Sequence, residues 1–426
     1  MKSFAPGSGR RRALRSCGLA LLLVPLSAGC GGGNAAGIGG NAAGIGGNAG
    51  TAGNAGTGGN AGTGGNAGTG GEGSSDTGTV PAVISGMVRW IGRVDLGDPA
   101  AAKFAWSGTG WIATVAGTSV SITLRSDPSG DPVYFQPVVD GLPGPRFSVA
   151  PAEGDKTVTI GSNLAEGDHV VELYRETEGK VGFAYSTFLG FTEGTPKEPP
   201  AYGGRLIEII GDSISAGYGN LGSEEHPDYG PDPDGGCGFS TETQSAYLTY
   251  GAVAARAVAA DASIVAASGW GIYSDNGGNR NNVLPTIYDK TVGGQPLPIW
   301  AFGLEPQAVV INLGTNDFAA DPNLGADAFV PPFQALLATV REKYPNAWIY
   351  CAVGPLLYDS GLANARAYIN DMVASLNAGG DGKVKVLDFG QQNILLGTGC
   401  DYHPNAAEDQ RMADLLAAEL RADLGW

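Results

Sequence analysis

The chain is poor in basic residues, in histidine and in cysteine. Its 426 residues include 25 Lys and Arg against 42 Asp and Glu, with 3 His and 5 Cys, and the formal net charge is −17 at pH 7. Nucleic-acid binding needs a basic surface that neutralises phosphates, so the composition argues against nucleic-acid partners. The same charge disfavours an electrostatic hold on anionic lipid and favours neutral or cationic partners.

Long apolar runs are also missing, and the run nearest the start is short. Basic residues from Lys2 to Arg15 precede LALLLVPL, and SAGC, which ends at Cys30, follows it. This order is typical of an export signal, and a run this short, interrupted by proline, does not span a membrane. Residues 1–30 resemble a bacterial lipoprotein signal, which would attach lipid to Cys30. We expect an exported lipoprotein that contacts a membrane, in the periplasm or at the cell surface, only through this anchor. A secreted protein with an ordinary cleaved signal is the alternative.

Residues 31–79 consist almost wholly of Gly, Asn, Ala and Thr in short repeats. Glycine does not occur at every third position, so a collagen helix is excluded. Only Ile38 and Ile45 are bulky, which leaves a β-helix without a core. We predict a flexible tether with a root-mean-square span of roughly 35–42 Å.

The few cysteines fall into distinct settings. Cys17 belongs to the signal, and Cys351 lies in the apolar run WIYCAV, which predicts an inert core thiol. Cys237 and Cys400 lie in Gly-rich loops, and disulfides persist in export compartments. We expect Cys237 and Cys400 to pair, with three free thiols as the alternative.

Residues 80–197 show the period of β-strands. GTSVSITLR alternates apolar and polar side chains, and Asp-Gly in YFQPVVDGLPG marks a hairpin turn. Short strands with regular turn signals predict a β-sandwich accessory domain. The Gly- and Pro-rich stretch 192–204 is predicted to be the linker to a second domain.

Residues 203–426 alternate between strand and helix. The predicted strands are continuously apolar: LIEII, SIVAAS, AVVINLG, AWIYCAV and VKVLDF. Helical stretches are predicted between and after them: 243–259, 327–343, 361–377 and 405–423. Apolar strands of this kind are typical of a parallel sheet covered by helices on both faces. The pattern predicts a doubly wound α/β domain of five strands, whose active groups lie beyond the carboxyl ends of the strands.

Four polar stretches occupy the positions that this rule singles out. GDSISAG, SGWG and GTNDF follow the first three strands, and CDYHPN precedes the last helix. Acyl transfer needs a nucleophile, a base, a group that orients the base and donors for the oxyanion. We predict Ser213 as nucleophile, His403 as base and Asp401 as its orienting group, on the expectation that residues i and i+2 of an extended loop share a face. The predicted oxyanion donors are the backbone N–H groups of Ser213 and Gly269 and the side-chain amide of Asn316.

Other residues receive weaker assignments. Trp270 and Trp300 are candidates for stacking on a sugar ring, although tryptophan more often belongs to a core. Asp212 and Asp317 are expected to brace their loops by hydrogen bonds. His226, in an insertion at 220–242, is the alternative base.

Two stretches resemble cofactor- or metal-binding motifs, but neither satisfies the requirements of its motif. GYGNLG at 217–222 has the spacing of a dinucleotide-binding loop, but a loop rather than a helix is predicted after it. DYGPDPDGG suggests a calcium loop, yet Gly230 and Thr241 stand where two of the ligands are needed. We expect no metal, no cofactor and a monomer.

The motifs GDSI, the Gly of SGWG, GTND and DYHP together resemble the four blocks of the SGNH (GDSL-type) hydrolases. The resemblance is closer to carbohydrate esterase family two. It extends to FAWSGTGWIATVAGTSVSITLR, FLGF, FSTETQSAYLTYGAVAARA and the Cys before DYHPN, and covers about residues 85–426.

This resemblance implies a flavodoxin-like hydrolase domain preceded by a jelly roll. The blocks would supply Ser213, Gly269, Asn316 and His403, and an acetylated hemicellulose such as xylan or glucomannan would be the substrate. Most SGNH enzymes have Asp three residues before the His, whereas here it is two, and some members of the branch work with Ser and His alone. The role of Asp401 is therefore open. The alternatives are a non-catalytic carbohydrate-binding surface lipoprotein and an esterase for acetylated peptidoglycan or lipid.

Overall fold

A computed structural model describes residues 87–127, 130–179, 185–222 and 237–426. The predicted signal, Cys30, the tether and His226 lie outside the described residues, so their assignments stay predictions. The described residues all belong to one compact unit, Asp76–Trp426. None of the helices in these ranges combines the length and apolarity needed to cross a bilayer.

Antiparallel strands form the amino-terminal part. They are β1 Arg89–Ile91, β2 Ala102–Phe104, β3 Gly110–Asp127, β4 Val133–Val139, β5 Leu142–Pro143, β6 Phe147–Val149, β7 Lys156–Gly161, β8 Asp168–Arg175 and β9 Tyr185–Lys197. The main sheet order is β2-β9-β3-β8-β4-β5, while β1 and β7 also pair with β3 and β6 pairs with β4. The predicted alternation in β3 is confirmed, since Val120, Ile122 and Leu124 are fully buried in the apolar core of these strands.

Local sequence explains a hairpin turn within this part and the end of its last strand, where one prediction is corrected. Asp140 and Gly141 have φ of 50° and 76°, so the predicted Asp-Gly turn joins β4 to β5 in the conformation that two-residue hairpins favour. The predicted linker 192–204 is wrong over its first six residues, because β9 continues to Lys197 and Pro196 pairs with Val115. Proline is tolerated there because β2 pairs only with residues 186–188 of β9, which leaves Pro196 on an edge with a single neighbouring strand.

A five-stranded parallel sheet forms the second part, as predicted. Its strands are β10 Leu206–Gly211, β11 Asp261–Ala266, β12 Ala308–Asn312, β13 Trp348–Val353 and β14 Val384–Asp388. The order β11-β10-β12-β13-β14 is the flavodoxin-like order 2-1-3-4-5. Gly211 is paired with both Ala266 and Asn312, so the ends of β10, β11 and β12 lie level. This edge of the sheet carries the polar stretches predicted to hold the active groups.

Helices cover both faces of this sheet. They are α1 Ser213–Ala216, α2 Tyr250–Ala257, α3 Thr315–Ala320, α4 Ala326–Lys343, α5 Asp359–Ala378 and α6 Ala406–Leu424. One face buries residues of α4 and α5 and the other buries residues of α2 and α6. The predicted helix 243–259 starts only at Tyr250, because the Thr249 side chain accepts a hydrogen bond from the Ala252 N–H and caps the helix there.

The two parts share a buried boundary. Trp106 of the β-domain is fully buried in the core on one face of the parallel sheet. Arg93 pairs with Glu208 of β10 at 3.2 Å, and both side chains are fully buried. The Tyr288 hydroxyl donates to the same carboxylate at 2.7 Å. Removing one partner of such a pair typically costs about 3–5 kcal/mol, because it leaves a buried charge uncompensated, so the boundary should be sensitive to substitution at either residue.

Candidate active site

Ser213 lies on the first turn after β10. The Asp212 carboxylate accepts a hydrogen bond from the Ile214 N–H at 3.0 Å and caps the one-turn helix α1. Gly217 ends that helix with φ of 87°, a conformation that glycine adopts without strain. The serine is thereby placed at the carboxyl edge of the sheet, as predicted.

His403 reaches Ser213 from the loop before α6. Its Nε2 atom lies 2.8 Å from the Ser213 Oγ atom. Asn405 caps α6 by accepting hydrogen bonds from the N–H groups of Ala407 at 3.1 Å and Glu408 at 3.0 Å. The capped helix fixes the chain two residues after the histidine.

The imidazole is oriented by backbone carbonyls rather than by the Asp401 side chain. His403 Nδ1 lies 3.1 Å from the carbonyl oxygens of both Cys400 and Asp401. The Asp401 carboxylate instead accepts a hydrogen bond from the Tyr218 hydroxyl. Asp401 and Tyr402 have φ of 49° and 58°, so the loop is a left-handed turn and the extended geometry that we expected is wrong. With Nδ1 donating to carbonyls, Nε2 is free to accept the serine proton.

A disulfide joins Cys237 to Cys400, with the Cα atoms 4.5 Å apart. Two backbone hydrogen bonds accompany it, from the Cys400 N–H to the Gly219 carbonyl at 2.9 Å and from the Asp401 N–H to the Cys237 carbonyl at 3.0 Å. The turn that orients His403 is thus fixed from two sides. Cys351 is buried and free, and burial raises the pKa of its thiol to about 12, as suits an inert core residue.

Tyr218 is a site residue that the sequence did not reveal. Its ring stacks on the His403 imidazole at 4.3 Å between centroids, and the Phe239 ring lies 5.4 Å from it on the same wall. The only signal was an aromatic residue directly after Gly217, the glycine that ends the nucleophile turn.

The predicted oxyanion donors belong to Ser213 itself and to two residues that line the same cleft, Gly269 and Asn316. Trp270 N–H donates to the Ala267 carbonyl at 3.2 Å, which closes a turn in which Gly269 has φ of 79°. The Asn316 side-chain amide donates to the Trp270 carbonyl at 3.0 Å and so lies beside that turn. Within the described ranges, neither the Ser213 N–H nor the Gly269 N–H donates to a protein acceptor. Both remain available to a ligand oxygen in the cleft.

Two buried aspartates brace this edge of the sheet, as expected. Asp317 accepts hydrogen bonds from the N–H groups of Ile272 at 3.0 Å, Tyr273 at 2.7 Å and Ser274 at 3.0 Å. Burial raises the pKa of Asp317 to about 6 and that of Asp212 to about 7. Both carboxyl groups are buried and accept hydrogen bonds from backbone N–H groups at this edge of the sheet.

These residues surround a cleft of about 610 Å³, which is lined by Ser213, Tyr218, Phe239, Ser268, Gly269, Trp270, Asp275, Asn276, Asn282, Asn316, Asp401 and His403. Trp270 therefore lies in the cleft, and its stacking on a sugar ring stays a prediction. The assignment of Trp300 is corrected, because its ring lies over the buried Arg93 guanidinium at 5.5 Å, in the boundary between the two parts. Asp275, Asn276 and Asn282 were missed, although the polar run SDNGGNRNN after the second strand was a signal. No group of three or more metal-ligating side chains occurs in the described part of the chain.

The pH dependence of turnover should follow the protonation of the His403 imidazole. The imidazole is active as the neutral base, and burial lowers the pKa of His403 below its ordinary value. We therefore expect kcat/KM to rise through a midpoint below about 6.5 and then to stay level to about pH 9. Measuring kcat/KM across this range, with the imidazole titration followed by NMR, separates His403 from Asp212 and Asp317. A midpoint above the ordinary value would show a carboxylate on Nδ1.

Asp401→Asn is expected to lower kcat only about 3- to 10-fold, because carbonyl groups still hold the imidazole. The matched variant is Tyr218→Phe, which removes the hydroxyl that donates to the Asp401 carboxylate. Because the amide oxygen of asparagine can still accept the Tyr218 hydrogen bond, Asp401→Asn tests the charge of the carboxylate and Tyr218→Phe tests the hydrogen bond, and the double variant measures how strongly the two losses are coupled. Steady-state kinetics checks this, and a loss as large as that of His403→Ala would show that Asp401 completes a triad.

A serine and a histidine in hydrogen-bond contact, at the carboxyl edge of a 2-1-3-4-5 sheet, define the class of GDSL-type hydrolases. Residues 209–411 match the family model described as GDSL-like Lipase/Acylhydrolase family, and residues 90–200 match the model described as Carbohydrate esterase 2 N-terminal. A solved family two carbohydrate esterase from Clostridium thermocellum, in complex with cellohexaose, is 37% identical with a TM-score of 0.73. The alignment covers 80% of this chain and 99% of that one. The chain belongs to carbohydrate esterase family two.

Two curated relatives are similar over the same region. The cellulase/esterase CelE of Acetivibrio thermocellus is 38% identical over 342 residues, which are 80% of this chain but only 40% of that protein's length. An acetylxylan esterase / glucomannan deacetylase of Cellvibrio japonicus is 27% identical over 345 residues, covering 77% of this chain and 88% of that protein.

Proposed function

We propose that this protein is a serine esterase that removes O-acetyl groups from a polysaccharide, with acetylated xylan or glucomannan as the substrate class. The observation that carries the proposal is the 2.8 Å contact between His403 Nε2 and Ser213 Oγ, inside a cleft where two backbone N–H groups have no acceptor among the described residues.

This contact supports a two-step acyl transfer. His403 Nε2 takes the proton as Ser213 Oγ attacks the acetyl carbonyl carbon, and the tetrahedral oxyanion accepts hydrogen bonds from Ser213 N–H, Gly269 N–H and Asn316. The bond to the sugar oxygen then breaks, and that oxygen leaves with the proton from His403. A water molecule, deprotonated by His403, attacks the acetyl-enzyme. Acetate leaves and the Ser213 hydroxyl is restored.

The side chains that line the cleft support a sugar substrate. Asp275, Asn276 and Asn282 supply groups that bond hydroxyls, while Tyr218 and Trp270 supply ring faces. The names of the two curated relatives agree with a polysaccharide ester. For a long acyl chain, an extended apolar channel would be needed instead.

We also propose that the enzyme works while attached to a membrane through lipid on Cys30, with residues 31–79 as spacer. This part rests on the sequence pattern alone. Radiolabelled palmitate incorporation, compared between the full chain and Cys30→Ala, tests it. Equal labelling of both chains would show that Cys30 does not carry the lipid and would contradict this part of the proposal.

The test of function measures acetate release from acetylated xylan and acetylated glucomannan by residues 80–426, beside Ser213→Ala. Release by the wild type alone is expected. Binding to these polymers without acetate release would contradict the esterase and favour a carbohydrate-binding protein. Acetate release only from acetylated peptidoglycan or lipid would show that the protein is an esterase for that substrate and not for xylan or glucomannan.

A further inference from the structure

Residues 176–178, directly after β8, pack against the part of the chain that contains the parallel sheet, and two of them are buried glutamates. Glu176 and Glu178 are fully buried and Thr177 is 1% exposed, although they belong to a loop of the β-domain. The Glu176 carbonyl accepts a hydrogen bond from the Ala246 N–H at 3.2 Å, which ties the loop to the segment before α2. Buried carboxylates are costly without partners, and Glu176 pairs with the Arg146 guanidinium at 3.4 Å.

Glu178 finds its partner beside the oxyanion turn. Its Oε2 atom accepts a hydrogen bond from the Ser268 N–H at 2.8 Å. Its Oε1 atom lies 3.4 Å from Gln244 Nε2, and its own N–H donates to Gln244 Oε1 at 3.3 Å. The two carboxylate oxygens therefore each face a donor.

The contacted N–H belongs to the residue directly before Gly269. Gly269 is the least restricted residue of the Ala267–Trp270 turn, and its N–H direction depends on the plane of the Ser268–Gly269 peptide. The far side of the turn is fixed by the Asn276 N–H, which donates to the Gly269 carbonyl at 3.0 Å. Glu178 fixes the near side.

We propose that Glu178 is a positioning residue, supplied by the β-domain, that holds the Gly269 N–H in line with the reacting carbonyl oxygen. The proposal rests on the proposed esterase function. It makes the β-domain part of the catalytic unit, in place of a separable carbohydrate-binding module.

Glu178 helps the reaction by holding the turn in place and not by its charge. A carboxylate behind an oxyanion site opposes the negative charge that develops there, so its charge alone would slow the reaction. A glutamine would avoid this charge, but it offers one acceptor where Ser268 and Gln244 present two donors. A carboxylate accepts from both donors, whereas in Glu178→Gln the amide oxygen can keep the Ser268 N–H and only the contact with Gln244 is lost.

The test compares Glu178→Ala, Glu178→Gln and Glu176→Ala in the otherwise unchanged chain. Glu176 is the control, because it is equally buried in the same segment but bonds to the Ser245 Oγ at 3.0 Å and the Tyr247 N–H at 2.9 Å instead. It also forms a salt bridge with Arg146 at 3.4 Å, away from the oxyanion turn. For Glu178→Ala we expect kcat on an acetyl ester to fall about 10- to 50-fold with KM nearly unchanged, less than the loss of a whole donor. Glu178→Gln should recover most of kcat, and Glu176→Ala should lower Tm but keep kcat within about threefold.

Hydrogen–deuterium exchange gives a second readout that needs no turnover. In Glu178→Ala the peptide covering residues 266–271 should exchange about tenfold faster, while in Glu176→Ala that peptide should be unchanged. Unchanged exchange there in Glu178→Ala would overturn the proposal, whatever the activity. Equal losses of kcat in both alanine variants would overturn it too, since that result marks a general structural role. A wild type inactive on every acetyl ester would instead contradict the proposed function, with the exchange result still deciding whether Glu178 holds the turn.

Discussion

Ser213→Ala and His403→Ala are each expected to lower kcat by at least about 10⁴-fold with the fold intact. The Ser213 Oγ and His403 Nε2 atoms act as a unit across 2.8 Å, so losing either should cost about as much as losing both. Acetate release measures the loss, and circular dichroism and Tm show that the protein is folded.

His169→Ala is the matched control for the loss of an imidazole. His169 lies in the β-domain, where its ring nitrogens contact the Asp140 carboxylate at 2.6 Å and the Ala165 carbonyl at 2.8 Å. Its removal should lower Tm and leave kcat within about twofold. Full activity of His403→Ala, with a wild-type spectrum, would show that another group serves as the base.

The architecture was predictable because the signal is repeated along the chain. Each predicted strand of the parallel sheet is an apolar run, and the order of strand and helix leaves few topologies open. Once the strands are placed, the strand-end rule brings Ser213, Gly269 and Asn316 together without further information. His403 joins them through the loop before the last helix.

Backbone conformation set the first limit of sequence reasoning. The assignment of Asp401 assumed an extended loop, whereas Asp401 and Tyr402 adopt the left-handed region in a turn closed by the His403 N–H on the Cys400 carbonyl at 3.1 Å. Non-glycine residues rarely adopt this region, so a residue pattern gives little warning of it. The consequence is chemical, because the turn points carbonyls at the imidazole and points the Asp401 carboxylate at Tyr218.

Contacts between the two parts of the fold set the second limit. Trp300 was a reasonable candidate for a sugar platform, but it packs on Arg93, a residue about two hundred positions earlier. Glu178 was missed for the same reason, since nothing near it in the sequence indicates that it meets Ser268. Such pairs become visible only when the packing of the β-domain against the hydrolase part is known.

Asn316→Ala is expected to lower kcat about 100- to 1000-fold with a small change in KM, because an oxyanion donor binds the transition state more strongly than the ground state. The side chain is well placed for this role, since its amide is already fixed by the Trp270 carbonyl at 3.0 Å and lines the cleft. Steady-state kinetics on an acetyl ester gives the two constants. Inhibition by a boronic acid, which forms a tetrahedral adduct on Ser213, should weaken in proportion to kcat.

That proportionality separates two explanations of a slow variant. If Asn316 only kept the turn in place, its loss would disturb Gly269 as well, and the exchange of residues 266–271 would rise as in Glu178→Ala. If Asn316 donates to the oxyanion, exchange should change little while boronate affinity falls. A kcat within about threefold of wild type would show that the Ser213 and Gly269 N–H groups stabilise the oxyanion without it. The oxyanion site would then be built from backbone alone, and the turn held by Glu178 would be its principal determinant.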